Sequence, residues 1–304
     1  MLWFASGFWT MKRIIRVFPR RTRATPTDDL AAVGRGPELF DQADEVHVSV
    51  TFTWDLPLAE KLAEAWKPVA PVRIGGPATG ERGEAFEPGR YVRDGYTVTS
   101  RGCPNRCWFC SVWKREGNEV RELPIRDGWN VLDDNLLACS EAHTRAVFAM
   151  LARQDTPPQF TGGLEAKILK PWHAEALRAL RPKQLFFAYD TADDLEPLRE
   201  AGRMMLAAGF TTASHALRCY VLCGWPKDKI EAAARRMAEA MDAGFTPMAM
   251  AWRGQDGKRS PEWARFQREW ARPAIVHKAN AVAVPRRNDV GTSHLLAVSG
   301  SGDK

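Results

Sequence analysis

Three of the six cysteines stand on one short stretch, Thr99-Ser100-Arg101-Gly102-Cys103-Pro104-Asn105-Arg106-Cys107-Trp108-Phe109-Cys110, in the spacing C-x3-C-x2-C. Thiolates this close in sequence can converge on one metal centre. A four-iron four-sulfur cluster normally takes four thiolates, so a three-cysteine loop leaves one iron with an open coordination position. Catalytic zinc sites differ from structural ones by the same kind of vacancy, and it is where a cosubstrate can bind. The other use open to the loop is a zinc knuckle completed by a distant ligand such as His143, although zinc sites more often arrive as paired C-x2-C units. Cys139, Cys219 and Cys223 read as packing residues, as buried free thiols commonly are. Cys219 and Cys223 lie four apart on an expected strand, a span of about 13 Å that one centre does not easily bridge.

The elements that must position this loop follow from hydrophobic period. Ahead of it, Arg13 to Phe18 and Glu45 to Phe52, with alternating Val46, Val48 and Val50, read as strands. Leu58 to Trp66 reads as a helix, and a third strand ends Val72-Arg73-Ile74-Gly75-Gly76-Pro77, which makes a β-α-β unit with a glycine turn at its exit. From Tyr96 onward short β-rich runs alternate with helical ones, the pattern of parallel strands joined by crossovers. Six strands are expected: Tyr96 to Ser100, Asn130 to Leu132, Gln159 to Thr161, Gln184 to Tyr189, Ala216 to Cys223, and Pro247 to Trp252. Between the last two, Asp228-Lys229-Ile230-Glu231 has the form of a capping box, and Ile230, Ala234, Met237, Ala238 and Met241 line one face of a helix that Gly244 ends. After Arg253 an aromatic helical segment carries Trp263, Phe266 and Trp270, and a polar, glycine-rich tail follows from about Arg286.

The cysteine loop resembles the signature of the radical S-adenosylmethionine (SAM) superfamily, including the aromatic residue, here Phe109, just before the third cysteine. The resemblance implies a 4Fe-4S cluster on Cys103, Cys107 and Cys110. Its open iron chelates the amino and carboxylate groups of SAM, and electron transfer then cleaves SAM to methionine and a 5'-deoxyadenosyl radical. It also implies a partial (β/α)6 TIM-like barrel with the loop after the first strand. Thr161-Gly162-Gly163-Leu164-Glu165, at the end of the third strand, is similar to the family's glycine-glycine-glutamate motif, so Gly162, Gly163 and Glu165 are expected to receive the SAM ammonium; glycine permits close backbone approach, and only acceptors pair with an ammonium. Asp133, Asp134 and Asp190 close the second and fourth strands, where barrel carboxylates line the active-site mouth. Asp190 is expected to touch ribose or substrate, with helix capping as the other role open to it and to Asp134. The stretch around Cys223 resembles the family's fifth strand, whose exit helps hold SAM. Thr246 to Trp252, with Met248, resembles the sixth, which receives adenine; core packing also accounts for most of these side chains.

The resemblance covers roughly Tyr96 to Arg253, about half the chain. The organisation expected is an upstream extension over 1–10, a small Rossmann-like α/β layer over 11–95, the barrel over 96–253, and a helical extension with a mobile tail over 254–304. The layer is loosely similar to the cobalamin-binding domain ahead of some radical SAM barrels. It is short, no D-x-H-x-x-G motif supplies a lower ligand to cobalt, and His47 sits inside a strand pattern, so cobalamin is not expected.

With 304 residues, 45% of them hydrophobic, the chain can bury a sizeable core. No apolar stretch is long enough to span a bilayer and no signal peptide is recognisable, so a cytoplasmic protein with reduced thiols is expected. The net charge is +6, and Lys12, Arg13, Arg16, Arg20, Arg21 and Arg23 concentrate charge near the start, which leaves a nucleic-acid substrate open beside a plain solvated surface. The partner expected is a reductant protein such as a flavodoxin or ferredoxin. The function expected is SAM cleavage at the cluster to act on an unknown substrate; a cobalamin-dependent radical methyltransferase and a nonenzymatic metal-binding nucleic-acid protein stand beside it.

Overall fold

In the computed structural model, residues 12–271 are described, apart from 84 and 255. The expected extension over 1–10 and the glycine-rich tail lie outside them. The first layer is a four-stranded parallel sheet of β1 (Ile14–Phe18), β2 (Ala31–Val33), β3 (Glu45–Ser49) and, after helix α1 (Leu56–Trp66), β4 (Val72–Gly75), in the order β2-β1-β3-β4. Its core is the apolar face of α1 laid on the sheet: Leu62 and the fully enclosed Trp66 meet Val17, Val46 and Val48, each such side chain contributing about 1.5–3 kcal/mol by leaving water. The expected β-α-β unit is present, with Gly76 at φ +111° just after β4. A Cβ there would stand 2.6 Å from the Val50 carbonyl oxygen, so only glycine lets this turn close on the end of β3. The three-residue β2 was missed because Ala31-Ala32-Val33 is too short to show a period.

Four of the basic residues near the start are engaged by partners in the fold, though only one of them is buried. Arg16 is buried, paired with Asp28 and donating to the Gly89 and Arg90 carbonyls at 2.9 Å. Arg20 pairs with the buried Asp55, Lys12 pairs with Glu45, and Arg13 donates its Nε to the Gln42 carbonyl at 2.7 Å. Arg21 and Arg23 remain exposed.

The rest of the chain runs β5 (Tyr96–Thr97), β6 (Ser100–Arg101), α2 (Val112–Arg115), β7 (Arg121–Glu122), β8 (Asn130–Val131), α3 (Glu141–Ala152), β9 (Gln159–Phe160), α4 (Pro171–Ala179), β10 (Gln184–Tyr189), α5 (Leu195–Ala207), β11 (Leu217–Cys223), α6 (Ile230–Asp242), β12 (Thr246–Ala251) and α7 (Pro261–Glu269). Six of these strands form one parallel sheet in chain order, β5-β8-β9-β10-β11-β12. Alternation sorts its two faces. Leu185, Phe187, Leu217, Cys219, Val221 and Ala249 enter the larger core beneath the helices. Phe186, Arg218, Tyr220 and Met248 lie on the opposite face by the same period.

Three expectations need correction. The strand expected over Tyr96 to Ser100 is split, because the backbone leaves the sheet after Thr97 and Ser100–Arg101 pairs instead with Arg121–Glu122 in a two-stranded antiparallel ribbon. The capping box at Asp228 does not form. That carboxylate accepts from the Gly224 N–H and from Arg236, both at 2.8 Å, and is spent on the turn after β11. The stripe that α6 buries is centred on Ala233, Met237 and Ala240, with Ile230 and Ala234 packed beside it. The aromatic segment after Arg253 is α7, whose buried Phe266 packs on the larger core together with Trp263 and Trp270. Among the described residues no helix is long and apolar enough to cross a membrane.

His173 gives this part of the fold a pH limit. It is 3% exposed at the start of α4, where its Nδ1 accepts from the Lys170 N–H at 3.0 Å. Burial, followed by the Lys170 charge, pushes the imidazole down to about 4. The unfolded chain therefore binds this proton more readily, and stability is lost as pH falls from roughly 6.5 towards 4, by about 3 kcal/mol in all. Chemical denaturation across that window should show a shallower fall for His173→Asn than for the wild type; parallel curves would remove His173 from the account.

Candidate functional site

The loop that carries Cys103, Cys107 and Cys110 is held at the carboxyl end of β5 by the polar run that leaves β8. Asp133 is buried, and its carboxylate accepts from the Thr99 N–H (2.6 Å), the Thr99 hydroxyl (2.6 Å) and the Ser100 hydroxyl (2.7 Å). Burial still outweighs these bonds and raises the Asp133 pKa. Asp134 accepts from the Gly102 N–H at 2.9 Å, directly ahead of Cys103. Neither carboxylate caps a helix; both tie the cysteine loop to the second strand of the sheet.

From the other side the loop is anchored by Glu116, 1% exposed, which accepts from Arg115 at 3.0 Å, from Arg121 at 2.8 Å and from the Gly83 N–H at 3.1 Å, and faces Arg101 at 3.7 Å. Burial pushes its pKa up, but Arg115, the Gly83 N–H and Arg101 together carry it below the ordinary value. Within the loop, the Cys110 N–H donates to the Cys107 carbonyl at 3.1 Å and the Trp113 indole to the same oxygen at 3.0 Å.

The glycine-glycine-glutamate stretch lies beside this loop. Gly162 donates its N–H to the Val131 carbonyl at 3.0 Å, and a Cβ on it would stand 2.3 Å from the Asp133 carbonyl oxygen, so the motif crosses the exit of β8 only because residue 162 has no side chain. Gly163 follows at φ +106°. Asn135 then joins the two motifs: its amide nitrogen donates to Glu165 at 2.6 Å and lies 3.5 Å from the Cys103 sulfur.

Asp190 reaches the same region. Its carboxylate accepts from the Leu222 N–H at 3.2 Å, while the turn after β10 is capped by Thr191 and Asp194 instead. Burial, followed by Asp194, pushes Asp190 up to about 7. Cys107 is raised by burial, then by Cys110 and Cys103, then by Asp190; burial likewise raises Cys110. Cys107 thus lies within electrostatic reach of the other two thiols and of Asp190. Cys223, by contrast, is fully enclosed in the core with its thiol pushed up to about 12 by burial. Met248 is half-buried on the face opposite that core. Cys219 is fully buried, and Cys139 is packed against the core from its edge.

Among the described residues no three His, Cys, Asp or Glu side chains stand close enough together to hold a metal ion. A mononuclear zinc needs four donors each about 2.1–2.3 Å from one point, whereas a four-iron cluster presents its irons at separate corners and takes one thiolate on each. Three thiols on one loop supply the donor chemistry of the second kind, with the Asn135 amide beside one of them. Sequence reasoning missed Asn135 and Glu116. Asn135 ends the polar run Asp133-Asp134-Asn135, which was a signal; nothing marks Glu116, a single acid at the end of a one-turn helix.

A cleft of about 440 Å³ opens between the first layer and the cysteine loop. Phe52 and Trp54 come from the turn after β3, Ala78 from the turn after β4, Phe109 and Lys114 from the loop and α2, and Arg253 from the end of β12. His47 does not reach it: its two ring nitrogens engage the Tyr91 hydroxyl at 2.6 Å and Glu45 at 3.0 Å.

No protein-family model matches the chain, and no curated protein sequence matches it. The fold is similar to a solved structure described as the radical S-adenosylmethionine methyltransferase TsrM from Kitasatospora setae with cobalamin and a 4Fe-4S cluster bound. The TM-score is 0.57 at 12% identity, over 79% of this chain and 75% of that one. At this identity the likeness concerns the fold.

Replacing Glu116 by glutamine leaves three arginines around a neutral amide, and removing one member of a buried ion cluster costs about 3 kcal/mol. Urea denaturation should show that loss in Glu116→Gln, and a midpoint equal to the wild type would contradict the anchoring role.

Proposed function

We propose that this chain is a radical SAM enzyme: Cys103, Cys107 and Cys110 hold a 4Fe-4S cluster, and the polar groups beside them bind SAM. The observation that carries the reading is the Asn135 amide, which donates to Glu165 and stands 3.5 Å from the Cys103 sulfur, so that the two motifs meet at the carboxyl ends of parallel strands. That is where α/β barrels place their chemistry. When bound, the cluster supplies the electron that cleaves SAM to methionine and a 5'-deoxyadenosyl radical. The chain's own residues do the holding. Asp133 and Asp134 fix the loop, Glu165 and the Gly162–Gly163 carbonyls accept from the SAM ammonium, and Asp190 stands at the mouth, where its raised pKa suits it to donate to a ribose oxygen or to substrate. Cys223 contributes through its strand's backbone, since its thiol is enclosed, and the Met248 segment borders the adenine.

On this reading the six-stranded sheet is a partial (β/α)6 barrel over 96–253, preceded by the α/β layer over 11–95 and followed by a helical extension from 254. The electron comes from a protein of the flavodoxin or ferredoxin kind. A cobalamin-dependent methyl transfer is the second reading, favoured by the cobalamin in the similar structure and by the cleft between the layer and the loop. On the described residues it requires corrin held without a protein imidazole, because those lining the cleft include no histidine and His47 is engaged elsewhere.

Anaerobic reconstitution should give about four irons per chain, and single alanine variants of Cys103, Cys107 and Cys110 should each lose the cluster. Undiminished iron in any one of them would take that residue out of the site. Glu165→Ala should keep its iron yet bind SAM at least tenfold more weakly by isothermal titration, a loss of about 1.4 kcal/mol or more; unchanged affinity would refute the assignment. Reductant and SAM should together yield 5'-deoxyadenosine from the wild type, and intact SAM under those conditions would overturn the proposed function.

A further inference from the structure

The cleft between the first layer and the cysteine loop has a chemistry of its own. Arg253, half-buried in its wall, has no carboxylate partner among the described residues; its guanidinium lies over the Trp54 ring, 5.0 Å from the centroid. Burial lowers its pKa first, and Arg259 and Arg20 lower it further, so the positive charges near it repel and no acid offsets them. Arg20 is already paired with Asp55, and Arg115 with Glu116. Lys114, exposed in the same lining, lies over the Trp113 ring with no acidic partner among the described residues. The cleft lining therefore carries two uncommitted cations. A half-buried charge left uncompensated is costly to the fold, and an anion entering the cleft relieves it.

The lining is also aromatic. Phe52 and Trp54 stack with centroids 4.8 Å apart and planes 8° from parallel, Arg20 lies over Phe52, and Phe109 joins the lining from the cysteine loop. The Trp54 indole nitrogen is buried without a hydrogen-bond acceptor among the described residues. The ring packs directly on Gly257, where a Cβ would stand 2.5 Å from it and displace it. The volume of about 440 Å³ falls within the range of small-molecule sites, and so does the mixture of apolar wall with a few polar groups.

We propose that this cleft binds a planar aromatic anion, its carboxylate or phosphate placed at Arg253 and its ring system against Phe52, Trp54 and Phe109. Phe109 and Ser111 flank Cys110 in sequence, so the ligand lies against the loop that carries the chemistry and defines the class of molecule acted on. That last role rests on the function proposed above; the binding does not.

The test is equilibrium dialysis of the full chain against 2-naphthoate and 2-naphthyl phosphate, with 2-naphthol as the uncharged counterpart. One site per chain is expected, with at least one anion bound tenfold or more tightly than 2-naphthol; which anion wins separates a carboxylate from a phosphate ligand. Arg253→Gln should abolish that preference while leaving 2-naphthol binding unchanged, and Thr53→Trp, which fills the mouth from an exposed position, should abolish binding of all three. Anions bound no more tightly than 2-naphthol, or bound equally well by Arg253→Gln, would overturn the inference. So would stoichiometric corrin in the purified protein that naphthoate does not displace. Anion binding without 5'-deoxyadenosine formation would defeat the proposed function alone, and 5'-deoxyadenosine without anion binding would defeat this inference alone.

Discussion

One buried carboxylate fixes the geometry on which the rest depends. Asp133 leaves a two-residue strand and takes three hydrogen bonds from Thr99 and Ser100, the residues at which the first strand of the large sheet breaks off and the cysteine loop begins. A carboxylate withdrawn from water is tolerated only when its oxygens are satisfied, so the hydroxyls and the amide are drawn to it, and the loop is placed before any cofactor enters. Asp134 and Asn135, the next two residues, extend the same tie to Gly102, Cys103 and Glu165. A run of three polar residues thus converts the pairing of neighbouring strands into the juxtaposition of two motifs some 60 residues apart in sequence.

Much of this was legible in the sequence, and the reasons are local. The long strands Gln184–Tyr189 and Leu217–Cys223 showed themselves because their apolar residues repeat over enough positions to reveal a period, and the helix after Asp228 showed its place though not the centre of its buried face. The C-x3-C-x2-C spacing needed no structure at all. What escaped were features decided by partners far along the chain. The breaking of the first strand after Thr97 follows from Asp133, 36 residues later in sequence, and the use of Asp228 in a turn follows from Gly224 and Arg236. Arg16 reads as surface charge in sequence and is buried in the fold, because Asp28 and two carbonyls from the segment at 89–90 close around it.

The first layer is more than a prop for the sheet. Its turns after β3 and β4 face the cysteine loop across the cleft, and Gly76 sets that approach by closing on Val50. Glu116 then bridges the loop to the connecting segment at Gly83. The loop is therefore held by the large sheet on one side and by the layer and its connection on the other, with the cleft left open between them. The cysteine loop and the turns that face it are thus irregular segments carried on regular ones, the arrangement in which loops on a rigid scaffold commonly bind.

The most direct measurement is the electron paramagnetic resonance spectrum of the anaerobically reconstituted, reduced protein, recorded with and without SAM. A three-cysteine cluster with one open iron predicts the signal of a single four-iron centre that changes when SAM is added. A signal indifferent to SAM, or a purified chain that holds one tightly bound zinc and takes up no iron, would contradict the account.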